Sequence, residues 1–289
     1  MKATTTSGGT PARQKMIATM DMKGLSLRTQ DNYLRSVSAL ARFYDRPPQT
    51  LSAEEVGAWV LARIDAGRCP RTTNAEVSAL RLFYVDTMDQ PEKVKGLHCR
   101  RVPDRLPRSM AQADVSLLIE GINDLRYRTA TLLAYGCALR ISEVVALKVS
   151  DIRSEERLLH IASGKGGHER MAHLPDTVLE ALRRYWKNTV PHPDPWLFHG
   201  ASPERPMTAE SLRTAFNTSR ERVGLDRGIT FHCLRHAIAT HLYERGAQIS
   251  VVQDYLGHKS PEATRVYARA TGVMYRTLDH PVKEVARGL

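Results

Sequence analysis

Residues 93–108, KVKGLHCRRVPDRLPR, break the hydrophobic rhythm of this chain and oblige it to fold as two bodies rather than one. The stretch holds two prolines, one glycine, six Lys/Arg and a single acid, so it suits neither a helix nor a strand. It reads as an exposed interdomain linker: a solvated loop on the plain reading, a basic strap lying on a phosphate backbone on the sharper one. Charge tilts the balance to the strap. Residues 1–108 carry 18 Lys/Arg against 11 Asp/Glu, a net of +7, and the rest carries 24 against 20, a net of +4. The 289-residue chain stands at +11, which points to a polyanionic partner.

Before the break, residues 12–90 predict four helices. Leu27, Leu34, Val37, Leu40, Ala41 and Tyr44 recur at helical spacing until Pro47-Pro48 stops them. Ser52 sits three residues before Glu55 as a capping box, with Leu51 placed as a hydrophobic staple, and Gly67 closes that helix. Thr73 to Met88 carries Val77, Leu80, Leu82, Phe83 and Tyr84, again helical.

Beyond the break the pattern mixes. Ser109 and Gln112 form a further capping box, opening a helix to about Asn123, and a second helix is expected from Arg126 to Ala138. Arg157–Ser163 alternates as a strand, Gly164-Lys165-Gly166-Gly167 turns, and Glu169–Leu174 returns as its partner. Helices follow from Pro175 to about Asn188 and from Thr208 to Val223. The class is mainly α with a small β-sheet (α+β). The expected division is a loose tail at 1–10, a helical domain at 11–92, the basic linker at 93–108 and a second domain at 109–289. No apolar run reaches membrane-spanning length. The cysteines Cys69, Cys99, Cys137 and Cys233 form no CxxC pair, which argues against structural zinc or a disulfide framework and fits a reducing cytoplasm.

Several residues have the chemistry of a phosphate site, each with a plainer reading beside it. Arg140 lies between apolar stretches, where it either pairs with Glu143 or aims a fork of donors at a phosphate. Lys165 at a glycine-rich hairpin tip is either solvated or a proton donor delivered into a groove. His232 and Arg235, three apart on a helix, suit a phosphate clamp, while Leu234, Ile238 and Leu242 form the inward stripe. His232, His236 and His241 raise a metal alternative, but no acidic ligand stands beside them as a His-Glu-x-x-His site would need. Leu256-Gly257-His258 is a turn, after which Ser260 caps and Pro261 opens a helix bearing Tyr267. Taken singly, Tyr267 is one of ten tyrosines, and most tyrosines anchor a core.

The order of these residues changes their weight. Arg140, Lys165, His232-x-x-Arg235, His258 and, nine residues on, Tyr267 resemble the signature of the tyrosine recombinases, the phage integrase family. Ala138-Leu139-Arg140-Ile141-Ser142-Glu143 resembles that family's G-L-R-x-S-E box, with alanine in place of its usual glycine. Leu234–Leu242 resembles its L-R-H-x-x-A-T-x-L helix, and Leu256–Ser260 its L-G-H-x-S turn. His168 stands where another lysine is common, leaving Lys165 as the better candidate acid. The likeness covers residues 109–270 strongly; the N-terminal helices are similar to the family's core-binding domain in type and size.

The resemblance implies a site-specific recombinase that cuts DNA through a 3′-phosphotyrosyl link, with Arg140 and Arg235 clamping the scissile phosphate and His258 bonding to it. It implies His232 beside the tyrosyl oxygen, Tyr267 as nucleophile and Lys165 protonating the 5′-oxygen. No cofactor or metal is implied, because the covalent link conserves the energy of the broken bond. The implied partners are double-stranded DNA with inverted-repeat core sites and three further subunits, in a homotetramer or heterotetramer. The 108 residues before the catalytic part suggest the compact Xer-like or transposon-encoded type, without an arm-binding domain. The alternatives are DNA relaxation of the type IB topoisomerase kind, or a non-catalytic DNA-binding regulator on the same fold.

Overall fold

A computed structural model of the chain describes residues 10–102, 110–162 and 169–257, together with Val282 and Ala286. They divide into two compact units, drawn from Met1–Arg105 and Leu106–Leu289.

The first unit is all helical: α1 (Pro11–Met22), α2 (Leu27–Tyr44), α3 (Ala53–Asp65) and α4 (Pro70–Arg81). The Ser52 box forms as expected, Ser52 accepting the Glu55 N–H and Glu55 accepting the Ser52 N–H, a cap typically contributing about 1 kcal/mol. Leu51 is fully buried beside it. The helix expected over 73–88 ends in two geometries, α4 giving way to a wider π-helical stretch at Leu82–Thr87. Of the apolar residues at helical spacing, Leu27, the first residue of α2, stands 77% exposed, while Val37 and Leu40 are buried.

The basic segment is not uniformly exposed. Val94 and Leu97 are buried in the helical unit's core, Lys93 donates to the Gln49 carbonyl at 2.7 Å, and Asn74 exchanges two hydrogen bonds with the Arg100 backbone. Residues 93–100 are thus strapped onto the helices by an apolar pair three apart, which composition alone had masked.

The second unit combines helices with a small sheet. α5 spans Gln112–Glu120, α6 Leu125–Gly136, α7 Ile141–Val145, α8 Asp176–Asn188, α9 Ala209–Arg222, α10 Phe231–Glu244 and α11 Ile249–Tyr255. β1 (Ile152–Arg153), β2 (Leu158–Ile161) and β3 (Arg170–His173) make an antiparallel sheet in that order, with Ile161 opposite Arg170. The hairpin strands match expectation and β1 adds an edge to them. α5 has Ala111 at its cap position and Gln112 as its first helical residue, accepting from Arg245 at 3.2 Å, where the sequence predicts a capping box of Ser109 and Gln112. Ser109 lies outside the described residues. The core runs along α6, buried from Thr129 through Gly136, and takes in Leu234, Ile238 and Leu242 of α10 as the predicted inward stripe. Among the described residues no helix is long and apolar enough to cross a membrane.

Candidate active site

The site starts where α6 ends. The chain leaves Gly136, passes Ala138 in the left-handed region at φ +52°, and reaches Arg140, which is extended and caps α7. Left-handed backbone costs an L-residue about 1–2 kcal/mol, so hydrogen bonds around the bend must offset it. Glu143 supplies two. Its carboxylate accepts the Arg140 backbone N–H at 2.8 Å on one oxygen and the Arg140 guanidinium at 2.9 Å on the other. The plain reading of Arg140, a pair with Glu143, is therefore present, yet the two ends differ: the Glu143 side chain is 1% exposed and that of Arg140 31%. The pair anchors the arginine and leaves its fork in contact with solvent.

α10 brings the second guanidinium. Arg235 is 3% exposed, and its Nη1 donates to the Ala138 carbonyl at 2.6 Å. Its Nη2 donates to the carbonyl of Leu256, at the turn that follows α11. One side chain thus ties the Arg140 bend, α10 and the Leu256-Gly257 turn together. Burial, then the nearby charges of Arg140 and Arg170, push the Arg235 pKa down to about 10, with Glu143 opposing. Three guanidiniums around one carboxylate leave the site net positive and Arg235 still a cation at neutral pH.

His232 sits in the first turn of α10, its outer edge in solvent and its ring edge-on to His236 with centroids 4.8 Å apart. Its pKa lies below the usual imidazole value through partial burial, then His236, Arg235 and Arg140. His236 is lowered likewise, by burial and then Arg235. Both are neutral at pH 7, so each keeps a ring nitrogen able to accept a proton. His241 is set apart: its ring nitrogens bond the Tyr135 hydroxyl at 2.9 Å and the Met110 carbonyl at 2.8 Å, which occupies both positions a metal would need.

The structure therefore brings together Arg140, Arg235 and His232, which are up to 95 residues apart in sequence. Lys165, His258 and Tyr267 lie outside the described residues. Sequence reasoning missed Arg170, whose Nη2 donates to Glu143 at 3.0 Å. The signal was available in strand alternation, since Arg170 shares parity with Ala172 and Leu174, both buried.

Comparison with known proteins supplies the context. The pattern of the phage integrase family matches residues 108–272, and that of the phage integrase N-terminal SAM-like domain matches residues 13–93. A putative integrase/recombinase of Sinorhizobium fredii is 34% identical over 264 residues, covering 90% of this chain and 84% of that protein. Tyrosine recombinase XerA of Pyrococcus furiosus is 35% identical over 216 residues, 73% of this chain and 74% of its own length. The fold is similar to lambda integrase solved as a dimer bound to a core site, with TM-score 0.71, 19% identity, and coverage of 86% of this chain and 94% of that one. It is also similar to lambda integrase solved as a tetramer bound to a Holliday junction, with TM-score 0.70, 21% identity, and coverage of 86% and 76%.

Proposed function

We propose a site-specific DNA recombinase, on the premise that this chain belongs to the phage integrase family. It cleaves and rejoins DNA strands at core sites, assembled on the DNA as a tetramer. The observation that carries this is the fastening of Arg235 to the bend that presents Arg140, with neutral His232 one turn away.

The chemistry follows from charge. A phosphodiester under attack gathers negative charge on its non-bridging oxygens, and preorganised guanidiniums lower that barrier most when shielded from water. Arg140 and Arg235 take those oxygens, with His258 donating a further hydrogen bond. Tyr267 forms the new O–P bond as the 5′-oxygen leaves; His232 receives the phenolic proton and Lys165 donates one to the 5′-oxygen. Tyrosine has an ordinary pKa of about 10, so a neutral imidazole and a cationic surround are what its deprotonation needs. A 5′-hydroxyl from a second strand reverses the attack. One phosphoester replaces another, so neither ATP nor metal enters the balance.

In this reading residues 11–92 bind the core DNA, 93–108 follow its backbone, and 109–289 hold the chemistry. All four cysteines are free thiols, in keeping with work in the reducing cytoplasm. The test is a nicked suicide duplex carrying the cognate site, run on a denaturing gel. A protein-linked DNA band is expected; binding without any such band would instead mark a regulator on the same fold.

A further inference from the structure

We infer that Arg170 is a positioning residue that sets the Arg140 guanidinium by holding the Glu143 carboxylate. The inference rests on the recombinase reading above. Arg170 opens β3 on the strand's inward face, its side chain 16% exposed. Its Nη2 donates at 3.0 Å to the same Glu143 oxygen that accepts the Arg140 backbone N–H. The other Glu143 oxygen accepts from the Arg140 Nη1. The carboxylate therefore has one angular setting that serves all three donors, and Arg170 is the member fixed from outside the 140–143 turn.

One further observation separates this from an ordinary buried ion pair. The Arg170 stem lies hard against Gly257, where an added Cβ would stand 2.7 Å from Cδ and 3.0 Å from Nε. Gly257 is at φ +62°, so both the space and the backbone demand glycine there. Arg170 thus bridges the Arg140 turn and the turn immediately before His258. Its buried Nε has no hydrogen-bond partner among the described residues. The same holds for Nε of Arg126 and Arg220, so it is the packing against Gly257 that sets Arg170 apart.

Burial accounts for the need of a second cation. Burial alone would raise the Glu143 pKa; the Arg170 charge, the Arg140 backbone bond and the Arg140 charge together carry it below the usual carboxylate range. With Arg140 alone the carboxylate would draw that guanidinium inward as its main counter-charge. Arg170 shares the load and leaves the donors of Arg140 other than Nη1 to meet a phosphate.

The test is single-turnover cleavage by the full chain on two suicide duplexes, one with an ordinary scissile phosphodiester and one with a methylphosphonate. The methylphosphonate has one non-bridging oxygen replaced by methyl and is neutral, so it asks less of an arginine clamp. Arg170→Ala is expected to slow phosphodiester cleavage about 100-fold with DNA affinity held within about threefold, and to slow methylphosphonate cleavage less than about tenfold. Arg170→Lys is expected between Ala and wild type, and Arg170→Ala with Glu143→Gln no slower than the slower single variant. Equal deficits on both duplexes, additive losses, or a wild-type rate in Arg170→Ala would each overturn the inference. If Arg170→Ala does not fold, Arg170→Lys and Glu143→Gln carry the same two-substrate comparison. A wild-type chain that forms no adduct would sink the recombinase reading instead.

Discussion

The guanidinium of Arg235 and the carbonyl of Ala138 meet at 2.6 Å, so the residue that would clamp phosphate also holds the bend that presents its fellow clamp. Binding and scaffolding share one side chain. Substitution at Arg235 should therefore damage both, in proportions set by how many of its bonds survive. Arg235→Lys keeps a charge but loses the planar fork that reaches Ala138 and Leu256 together. Its expected outcome is a loss of about 2–4 kcal/mol in denaturant unfolding, with cleavage of a suicide duplex down at least about 100-fold. A fully active Arg235→Lys enzyme would show that the fork is not needed.

Tyr267→Phe should separate binding from chemistry. The ring is kept and one oxygen is lost, so affinity for a cognate duplex should stay within about threefold while the covalent band vanishes. Gel shift and denaturing gel on the same samples measure both. Adduct persisting in this variant would move the nucleophile elsewhere.

His232 and His236 predict a pH dependence whose sign can be worked out. Their folded-state pKa values lie below the usual imidazole value of about 6.5, so the unfolded chain binds more protons just below that pH. Their neutral forms are fully present above about 6.5, and stability is lost as pH falls from there through the folded values. Cleavage should be flat from pH 7 to 8 and drop on acidification, with an inflection below about 6.5. His232→Gln should slow the plateau and shift or remove that limb, read from single-turnover rates across pH. An inflection above 7 would mean that His232 is held charged.

Ala138 shows how much a departure from a family pattern weighs. At φ +52° it occupies backbone that glycine prefers, yet its methyl is fully buried. Glycine would relieve about 1–2 kcal/mol of backbone strain, but it would give up about 0.8 kcal/mol of buried methyl and add about 0.5–1 kcal/mol of chain entropy. These offset, so Ala138→Gly should shift the melting midpoint by only a few degrees at most. Ala138→Val, β-branched and with no space at a buried left-handed position, should cost about 2 kcal/mol or more. Paired thermal melts test both.

What was legible in the sequence is what neighbours in sequence decide. Ser52 and Glu55 satisfy each other across one turn, so the start of α3 was readable, as was the alternation of β2 and β3. Ser109 and Gln112 had the same spacing, but Ser109 lies outside the described residues, and the Gln112 amide also accepts from Arg245, 133 residues away. The basic segment read as an exposed linker because its charges outnumber Val94 and Leu97, which nonetheless reach the core. In the candidate site, Arg140, His232 and Arg235 were legible as residue types in an order. Their mutual geometry was not, since it depends on a carbonyl at Ala138 and a carboxylate braced from β3.

His241 is the control that separates site from scaffold on α10. It lies nine residues beyond His232 and raised the same metal alternative, but both its nitrogens are bonded, to Tyr135 and to the Met110 carbonyl. Met110 leads into α5, so His241 pins that helix's entry to α6 and α10 from inside. His241→Leu keeps volume and removes both bonds, leaving a buried carbonyl to lose its donor; the expected cost is about 2–4 kcal/mol in denaturant unfolding. At temperatures well below the melt, the folded fraction should cleave a suicide duplex at a rate within about threefold of wild type. A loss of cleavage as deep as that of His232→Gln would place His241 in the chemistry and break the division of labour along this helix.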